Sequence, residues 1–534
     1  MIIKSKTLNR YCILAITKMS IEYKINNKDA RTIYDLDITK FIDKFLSPHN
    51  IKDSIGFMSK ELITLKNGEE LKTYRKTVQE LVGKPNLKQT IENLVLNDYK
   101  LKSLNDEREE IFGTNISKEL KELKKDITLY LSKNDIHKLI SRDYNILKFY
   151  CDLVDKTQKI ESESKFLQKI KEEGKSITDD EYYQASKKAV DMMENFGEAK
   201  LHVFYDYFDN VKNVENLEFN PKERKISEVF GKYLRKASRL ICPDLFLLFF
   251  PSRKERFYAN SLEFLVEKNL PYIEKVLEYR KKMDFFLGAT RYIEKIKSAS
   301  IPLTYPSFTE KEGFLFKELY NPLLLLQRGI KKKEDIIPND VNSNTKQNVA
   351  IITGPNNTGK TIYVKSIGLA YALAQNGFPV PAQNAQLIEL NDMYTQFIHP
   401  EDIELGEGSY LDELRRIKEL FQNATTKTLL IADEPIRGSS PEDSEEMNLR
   451  FIKGFIKLKA PTFLTTHLHN VSKKVDDWEG VRNLQTEVNL DGKEIKPTYK
   501  IKPGKAKGSY GVEIADQFGL SEDDINNLIN QKTK

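Results

Sequence analysis

The chain has 534 residues, which is enough for several domains with separate buried cores. Its 85 basic and 79 acidic side chains give a net charge of +6. The overall charge is therefore too small to indicate nucleic-acid binding by itself. Cys12, Cys151 and Cys242 lie far apart without the spacing of zinc ligands, so the composition argues against disulfides or zinc and favours a reducing compartment.

The sequence indicates neither a cleaved leader nor a membrane anchor. The apolar stretch at residues 11–16 is too short for a signal peptide and lacks a small-residue cleavage site, and Met19 is an alternative start. Another apolar run, residues 245–250, stops at Pro251 and is far shorter than the roughly 18 residues of a membrane helix. We therefore treat residues 1–30 as an extension and expect a cytoplasmic protein without a membrane partner.

Residues 31–305 are predicted to be all helical. Apolar side chains recur at steps of three and four, the spacing of one buried face of a helix, in two long segments. These positions are Ile116, Leu120, Leu123, Ile127 and Leu131 in the first segment, and Leu262, Leu265, Val266, Ile273, Val276 and Leu277 in the second. A packed bundle accounts for all of them. A change to a mixed α/β pattern then places a domain boundary near residue 305. It is marked by Pro302, Pro306, Gly313 and Pro322.

Residues 354–361 fit the pattern G-x-x-x-x-G-K-[ST], and the β-branched run before them, residues 349–353, is typical of a buried strand. Such a loop surrounds a nucleotide phosphate with backbone N–H groups at a helix N-terminus. In this pattern Lys360 reaches the β- and γ-phosphates, and the Thr361 hydroxyl binds Mg²⁺. The predicted nucleotide-binding residues are Gly354, Pro355, Asn356, Asn357, Thr358, Gly359, Lys360 and Thr361. A glycine turn without a ligand is the alternative interpretation.

Ser409, preceded by two glycines at 406 and 408, opens a predicted helix with apolar side chains at Leu411, Leu414 and Ile417. A serine at a helix N-terminus offers a hydroxyl, free N–H groups and the positive end of a dipole to an anion. The local pattern favours an ordinary N-cap at Ser409, and a phosphate contact is the functional alternative.

An apolar run at residues 428–432 ends in Asp433 and Glu434. Carboxylates at the C-terminal edge of a buried parallel strand lie where ligands bind in open sheets. Asp433 is therefore the predicted Mg²⁺ ligand, directly or through water, and Glu434 the predicted general base for the attacking water. A third run, residues 462–466, ends in His467, which is either a structural histidine or a contact to the γ-phosphate or the water.

Two basic segments are candidates for phosphate contacts, with a solvated surface as the alternative for each. The first segment is residues 331–333. The second comprises Lys496, Lys500, Lys502, Lys505 and Lys507.

These motifs, in this order, resemble the ATPase domain of the MutS family of DNA mismatch-repair proteins. Residues 354–361 are similar to that family's G-P-N-x-x-G-K-[ST], residues 433–440 to its D-E-x-x-R-G-[ST]-S, and residues 465–467 to its [AT]-T-H. Residues 380–382 stand where the family has V-P-A, and residues 509–511 resemble the S-Y-G stretch that leads into its terminal dimerisation helices.

Three positions depart from the family pattern. Thr358 replaces a residue that is usually glycine, and Pro435 with Ile436 replaces the usual Ile-Gly after the glutamate. The segment at 408–410 has Gly-Ser-Tyr where Ser-Thr-Phe-like residues are common, which leaves Ser409 as the hydroxyl candidate. No departure in the loop or after the glutamate removes a chemical group, so hydrolysis remains the expectation.

The resemblance implies the fold class. Residues 306–534 would form an α/β P-loop ATPase domain, ABC-like, with a mostly parallel sheet, flanking helices and C-terminal dimerisation helices. Residues 31–305 would form an all-helical lever/clamp domain that begins with residues 34–38. Only about 30 residues precede it, against on the order of 100 for each of the family's mismatch-reading and connector domains. We therefore expect a short form without those two domains.

The resemblance also implies roles for individual residues. Asn356 would help to order the phosphate and the water, and Ser409 would touch the γ-phosphate that is held by the other subunit. Ile337 is the expected adenine contact, with an ordinary apolar loop residue as the alternative. The predicted catalytic residues are Glu434, His467, Lys360 and Asn356.

The expected function is that of a homodimeric ATPase that uses ATP and Mg²⁺. It would act in DNA repair or recombination as a nucleotide-gated clamp on double-stranded or branched DNA, without mismatch specificity of its own and in the company of other repair proteins. The alternative is a nucleotide-switched assembly or signalling ATPase that does not bind DNA. A P-loop kinase is disfavoured, because a monomeric kinase needs no groups that reach across a dimer.

Overall fold

The computed structural model describes residues 27–46, 52–115, 133–196, 202–205, 211–215, 253–310, 313–326, 333–397, 409–436, 440–491, 494–506 and 519–532. Several predictions lie outside these residues. They concern the extension around Met19, the periodic segment at 116–131, the glycines before Ser409, the Arg-Gly-Ser part of the 433–440 motif, and the stretch at 509–511.

The described chain divides into two compact units, Gln79–Leu287 and the combination of Met1–Val78 with Gly288–Lys534. These limits differ from the predicted domain boundaries at residues 30 and 305. In particular, residues 34–38, taken above as the start of the lever, lie in the unit that also contains the α/β part. The assignment of lever, clamp and ATPase domains stays a prediction.

Short helices open the second of these units, and they pack on its α/β part. They are α1 (Asn27–Asp35), α2 (Ile38–Phe41), a π-helical turn (Ile42–Leu46), α3 (Lys52–Ile63) and α4 (Gly68–Gly83). The Asn376 amide donates to the carbonyl of Leu62 at 2.8 Å, and Lys365 Nζ donates to Asp37 Oδ2 at 2.8 Å. Polar contacts therefore hold these helices against the segment that follows the phosphate loop.

The helical unit is built from long helices, as the apolar periodicity predicts. They are α5 (Pro85–Asn115), α6 (Lys133–Gln158), α7 (Lys165–Thr178), α8 (Glu181–Phe196) and α9 (Arg253–Ser298). A hairpin of β1 (His202–Tyr205) and β2 (Val211–Glu215) lies among them, so the prediction of an all-helical segment at residues 31–305 is wrong at this place. The first four positions of the second periodic segment are buried, namely Leu262, Leu265, Val266 and Ile273. The predicted amphipathic helix at this place is therefore confirmed.

A buried ion pair joins α5 and α9 inside the helical unit. Asp98 is fully buried, and its Oδ2 lies 3.2 Å from Nε of Arg280. Burial raises the pKa of the Asp98 carboxyl to about 7, and the positive charges of Arg280 and Lys102 oppose that rise only in part. The Arg280 guanidinium also stacks over the Tyr99 ring at 4.5 Å.

The α/β part contains, in chain order, β3 (Ser307–Phe308), β4 (Phe314–Leu319), β5 (Asn339–Ser343), β6 (Val349–Thr353), α10 (Lys360–Ala374), β7 (Asn384–Leu387), β8 (Asp392–Phe397), α11 (Ser409–Asn423), β9 (Thr428–Asp433), α12 (Pro441–Leu458), β10 (Thr462–Thr465), α13 (His469–Lys474), β11 (Val481–Asp491), β12 (Glu494–Pro503) and α14 (Glu522–Lys532). Short 3₁₀ turns cover Pro322–Leu326 and Lys333–Asp335.

The main sheet has six strands in the order β12-β11-β6-β10-β9-β8, and β3, β7, β4 and β5 form a smaller sheet. All neighbouring strands of the main sheet are parallel except β11 and β12, which form an antiparallel hairpin at one edge. The prediction of a mostly parallel sheet is therefore confirmed. Because β10 lies between β6 and β9, the three apolar runs that end in chemical motifs are adjacent, and their C-terminal ends meet at one edge.

Helices cover both faces of this sheet. On one face Ile351 and Leu464 share a core with Ile452 and Phe455 of α12. On the other face α10 packs so closely on β9 that a methyl group on Gly368 would lie 2.8 Å from Ile431 Cδ1. Strands buried on both faces explain why these segments are continuously apolar instead of alternating. Among the described residues, no helix combines the length and the apolar character that crossing a membrane requires.

Candidate active site

The phosphate loop joins β6 to α10 through a backbone that glycine makes possible. Gly354 and Gly359 have φ values of 148° and 94°, and Asn357 has a φ of 60°. A methyl group on Gly354 would lie 1.9 Å from Oγ1 of Thr486, so this position excludes every side chain. The loop therefore turns tightly against β11 before α10 begins at Lys360.

Lys360 is held inside its own loop in this structure. Its ammonium donates to the carbonyls of Gly354 at 2.9 Å and Pro355 at 2.8 Å, and only 6% of the residue is exposed. Burial lowers the pKa of the Lys360 amine, and the nearby carboxylates of Glu434 and Asp433 oppose that change. A ligand phosphate would therefore replace two neutral carbonyls as the partner of this buried charge.

Asp433, at the end of β9, receives hydroxyl groups from both neighbouring elements. Thr361 Oγ1 donates to its Oδ2 at 2.9 Å, and Thr465 Oγ1 donates to its Oδ1. This arrangement places one hydroxyl and one carboxylate side by side at the start of α10. Hard oxygen donors of this kind are the ligands that Mg²⁺ prefers, so the residues present fit the predicted cation site.

Glu434 and His467 form a direct pair. His467 Nε2 lies 2.6 Å from Glu434 Oε1, and the Glu434 amide donates to the carbonyl of Thr465 at 3.2 Å. Glu434 has a φ of 53°, a left-handed conformation that costs a residue with a side chain roughly 1–2 kcal/mol. Backbone strain at this position turns the carboxylate out of the strand direction and toward the histidine.

One cavity of about 530 Å³ brings most of the predicted residues together. Its walls include the predicted residues Asn356, Asn357, Thr358, Gly359, Lys360, Thr361, Asp433, Glu434, His467 and Ile337. The carbonyls of Gly354 and Pro355 accept hydrogen bonds from Lys360. Ser409 begins α11, as the sequence predicts.

A second cavity of about 320 Å³ adjoins the first. The two share Asn356, Glu434 and His467, and the second is completed by residues that include Ser444 of α12 and Thr466. The Glu434–His467 pair therefore lies at the boundary between the two cavities.

The sequence interpretation missed Tyr499, which lines the larger cavity from β12. The ring is 49% exposed, and its Cδ1 would lie 3.4 Å from a methyl group placed on Gly359. Tyr499 has a φ of 59°, and with Asn357 and Glu434 it is the third non-glycine residue of the cavity in the left-handed region. The only sequence signal was an aromatic residue among lysines, which is not specific without the strand pairing.

Three lysines of the C-terminal segment make contacts within the protein. Lys500 Nζ donates to the carbonyl of Pro338 at 2.6 Å, Lys505 lies 2.6 Å from a carboxylate oxygen of Asp476, and Lys502 pairs with Glu487. The contacts of these three side chains favour a role in tying down the β11–β12 hairpin. Their interpretation as phosphate contacts loses support accordingly.

Comparison with known proteins identifies this region. Residues 350–533 match MutS domain V. The chain is 27% identical over 365 residues to the DNA mismatch repair protein MutS of Caldicellulosiruptor saccharolyticus, an alignment that covers 60% of this chain and 42% of the relative. It is 28% identical over 314 residues to the DNA mismatch repair protein MutS of Clostridium botulinum, covering 55% and 33%.

A third relative, the DNA mismatch repair protein MutS of Carboxydothermus hydrogenoformans, is 27% identical over 376 residues, covering 65% of this chain and 42% of that protein. The chain thus spans less than half the length of these curated relatives. The residues at 356–361, Asp433, Glu434 and His467 lie in the matched region and line one cavity at the edge of the sheet. Over residues 350–533, the chain is therefore similar to domain V of the MutS family.

Proposed function

We propose that the chain is a MutS-like, Mg²⁺-dependent ATPase with an ABC-like ATPase domain. One observation carries the proposal: Lys360, Thr361, Asp433, Glu434 and His467 come from three adjacent strand ends and line a single cavity. A phosphate loop, a hard-oxygen cation site and an acid–histidine pair are the parts that ATP hydrolysis requires.

Binding of the triphosphate would use the loop and its lysine. The free backbone N–H groups at the start of α10 would bind phosphate oxygens, and Lys360 would leave the carbonyls of Gly354 and Pro355 for the phosphates. Thr361 and Asp433 would hold Mg²⁺, which neutralises charge on the β- and γ-phosphates. Asn356, exposed at the cavity wall, would orient the terminal phosphate.

Hydrolysis would depend on the Glu434–His467 pair. Glu434 would take a proton from the attacking water, and His467, 2.6 Å away, would hold the carboxylate in position. The adjoining cavity shares both residues and gives water a route to the carboxylate that does not pass the nucleotide. The base of the nucleotide would lie between Ile337 and Tyr499, an apolar and an aromatic side chain that line the cavity.

The working form would be a homodimer. Ser409 would complete the cavity of a second copy, because it begins α11 and a helix N-terminus attracts an anion. ATP binding would then draw two ATPase domains together, and the helices would open or close around double-stranded or branched DNA. Recruitment of other repair proteins belongs to the same proposal, and mismatch specificity does not.

The experiment that tests this proposal measures ATPase rates with homoduplex, mismatched, single-stranded and four-way-junction DNA at two salt concentrations. We expect Mg²⁺-dependent hydrolysis that duplex or branched DNA changes at least severalfold, with a salt-sensitive response. Equal rates with and without every DNA would contradict the DNA-binding part. An absence of hydrolysis would contradict the ATPase part.

The internal pairing of Lys500, Lys502 and Lys505 favours a second candidate, a nucleotide-switched assembly ATPase that does not bind DNA. DNA-independent hydrolysis together with ATP-dependent dimer formation in light scattering would select this function. Retention on DNA that weakens with salt would exclude it.

A further inference from the structure

The phosphate loop has a contact that its motif does not require. Thr358, at a position where a glycine is usual, is 3% exposed, and its Oγ1 lies 2.8 Å from Oγ1 of Thr486 on β11. Thr486 is itself 4% exposed and stands at a bulge of the β11–β12 hairpin. Two buried hydroxyl groups therefore join the loop to a neighbouring strand.

Hydrogen-bond donors and acceptors can be assigned along this contact. Thr358 Oγ1 donates to the carbonyl of Pro355 at 2.7 Å, so its own oxygen accepts the proton of Thr486. The chain of donors runs from Thr486 through Thr358 to Pro355. The same carbonyl accepts from Lys360 Nζ at 2.8 Å.

This shared carbonyl links the hydroxyl chain to ligand binding. When Lys360 turns to a phosphate, the buried carbonyls of Pro355 and Gly354 lose their charged partner, and an unpaired buried acceptor is costly. The Thr358 hydroxyl keeps the Pro355 carbonyl satisfied through that change. Thr486 in turn fixes the rotamer of Thr358 and packs against Gly354, where no side chain fits.

We infer that Thr486 is a positioning residue for the phosphate loop and that it acts through Thr358. The pair lowers the cost of releasing Lys360 to a triphosphate, and so sets affinity and not the rate of bond cleavage. This inference rests on the proposed function, and it adds to that function a residue outside the loop motif.

The test compares four variants with the parent chain: Thr486→Val, Thr358→Gly, the combination of both, and Thr358→Ser. Binding of a non-hydrolysable ATP analogue with Mg²⁺ is measured by calorimetry, and KM and kcat are measured with ATP. Thr462→Val is the matched control, because Thr462 is 1% exposed and donates to the Ala460 carbonyl at 3.0 Å near the start of β10.

We expect Thr486→Val to raise the dissociation constant and KM about tenfold, with kcat nearly unchanged. Tenfold corresponds to about 1.4 kcal/mol, within the range for a buried group that loses its partner. Thr358→Ser should bind like the parent, and Thr486→Val should have no further effect once Thr358 is glycine. Thr462→Val should lower stability without changing affinity.

Two results would overturn the inference: parent-like affinity in a folded Thr486→Val variant, or an equal loss of affinity in the Thr358→Gly background. If the parent chain itself binds no nucleotide, the proposed function fails. The coupling between Thr358 and Thr486 is then tested by thermal unfolding without ligand. In that case additive effects of the two substitutions on the thermal unfolding midpoint would show that the residues are not coupled, which also contradicts the inference.

Discussion

Nε2 of His467 lies 2.6 Å from Oε1 of Glu434, and both residues follow strands that are direct neighbours in the sheet. Register explains the pairing, because Thr465 stands opposite Asp433 and the two motifs leave their strands at the same level. The contact joins a carboxylate suited to deprotonate water with a histidine that limits its movement.

Replacement of Glu434 by glutamine should preserve nucleotide binding and stall hydrolysis. The amide has the same size but cannot accept a proton from water, so we expect the turnover rate to fall by about 10²–10⁴-fold, the usual contribution of a general base. Steady-state phosphate release measures this rate. Glu442→Gln, on the exposed first turn of α12, is the control and should hydrolyse ATP normally. Parent-like turnover in the Glu434 variant would exclude its role as the base.

Replacement of Lys360 by methionine should abolish tight binding of the triphosphate. The variant loses charge-assisted hydrogen bonds to phosphate, and at about 3 kcal/mol the dissociation constant should rise roughly a hundredfold. Calorimetric titration with the ATP analogue and Mg²⁺ checks this effect. Lys457→Met, on the exposed side of α12, should bind like the parent. An unchanged affinity in the Lys360 variant would mean that the loop does not bind phosphate.

Replacement of Tyr499 by alanine should weaken the binding of ATP but not of inorganic tripolyphosphate. Stacking of a base on an aromatic ring contributes about 1–3 kcal/mol, so we expect a roughly tenfold loss for ATP. Tyr499→Phe keeps the ring and should bind ATP almost as well as the parent. A parallel loss for tripolyphosphate would instead indicate that Tyr499 supports the phosphate loop, which lies close to its ring.

The buried Asp98 predicts a pH dependence of stability in the helical unit. Its pKa is raised from 3.8 to about 7, so the folded protein holds a proton that the unfolded chain releases. Its contribution to the free energy of unfolding is therefore fully present below pH 3.8 and is lost as the pH rises through 7. Over this range the free energy of unfolding falls by up to about 1.4 kcal/mol per pH unit. Asp98→Asn should flatten this slope.

Urea unfolding of the full chain between pH 4 and 7.5, followed by circular dichroism, measures the effect. Asp179→Asn, an exposed acid at the C-terminal end of α7, is the control and should keep the slope of the parent. If the Asp98 and Asp179 variants show the same slope as the parent, the buried carboxyl is already ionised over this range.

Several parts of the site could be predicted from local sequence. The residues of the phosphate loop are contiguous in sequence. Its glycines and lysine therefore indicate phosphate binding whenever a strand precedes the loop and a helix follows it. Asp433 and His467 were recognisable because each ends a continuously apolar run, which is the pattern of a strand buried on both faces. The long helix at Arg253–Ser298 was predictable from the spacing of its apolar positions for the same kind of reason.

Other parts depended on contacts between distant segments. Tyr499 and Thr486 reach the phosphate loop only because β11 pairs with β6 and β12 folds back on β11. Likewise, residues 27–78 belong with the α/β unit through buried amides such as that of Asn376, although their helical periodicity resembles that of the helical unit. A periodic pattern shows which face of a helix is buried but not what buries it.

The sequence by itself determined the chemical groups of this protein and the strands and helices that hold them, since these follow from neighbouring residues and local spacing. Only the tertiary structure decided that Glu434 contacts His467, that Thr358 contacts Thr486, and that Tyr499 lines the cavity. These contacts depend on strand order and register. Strand order and register are properties of the whole sheet, because they are fixed only when both of its faces are buried.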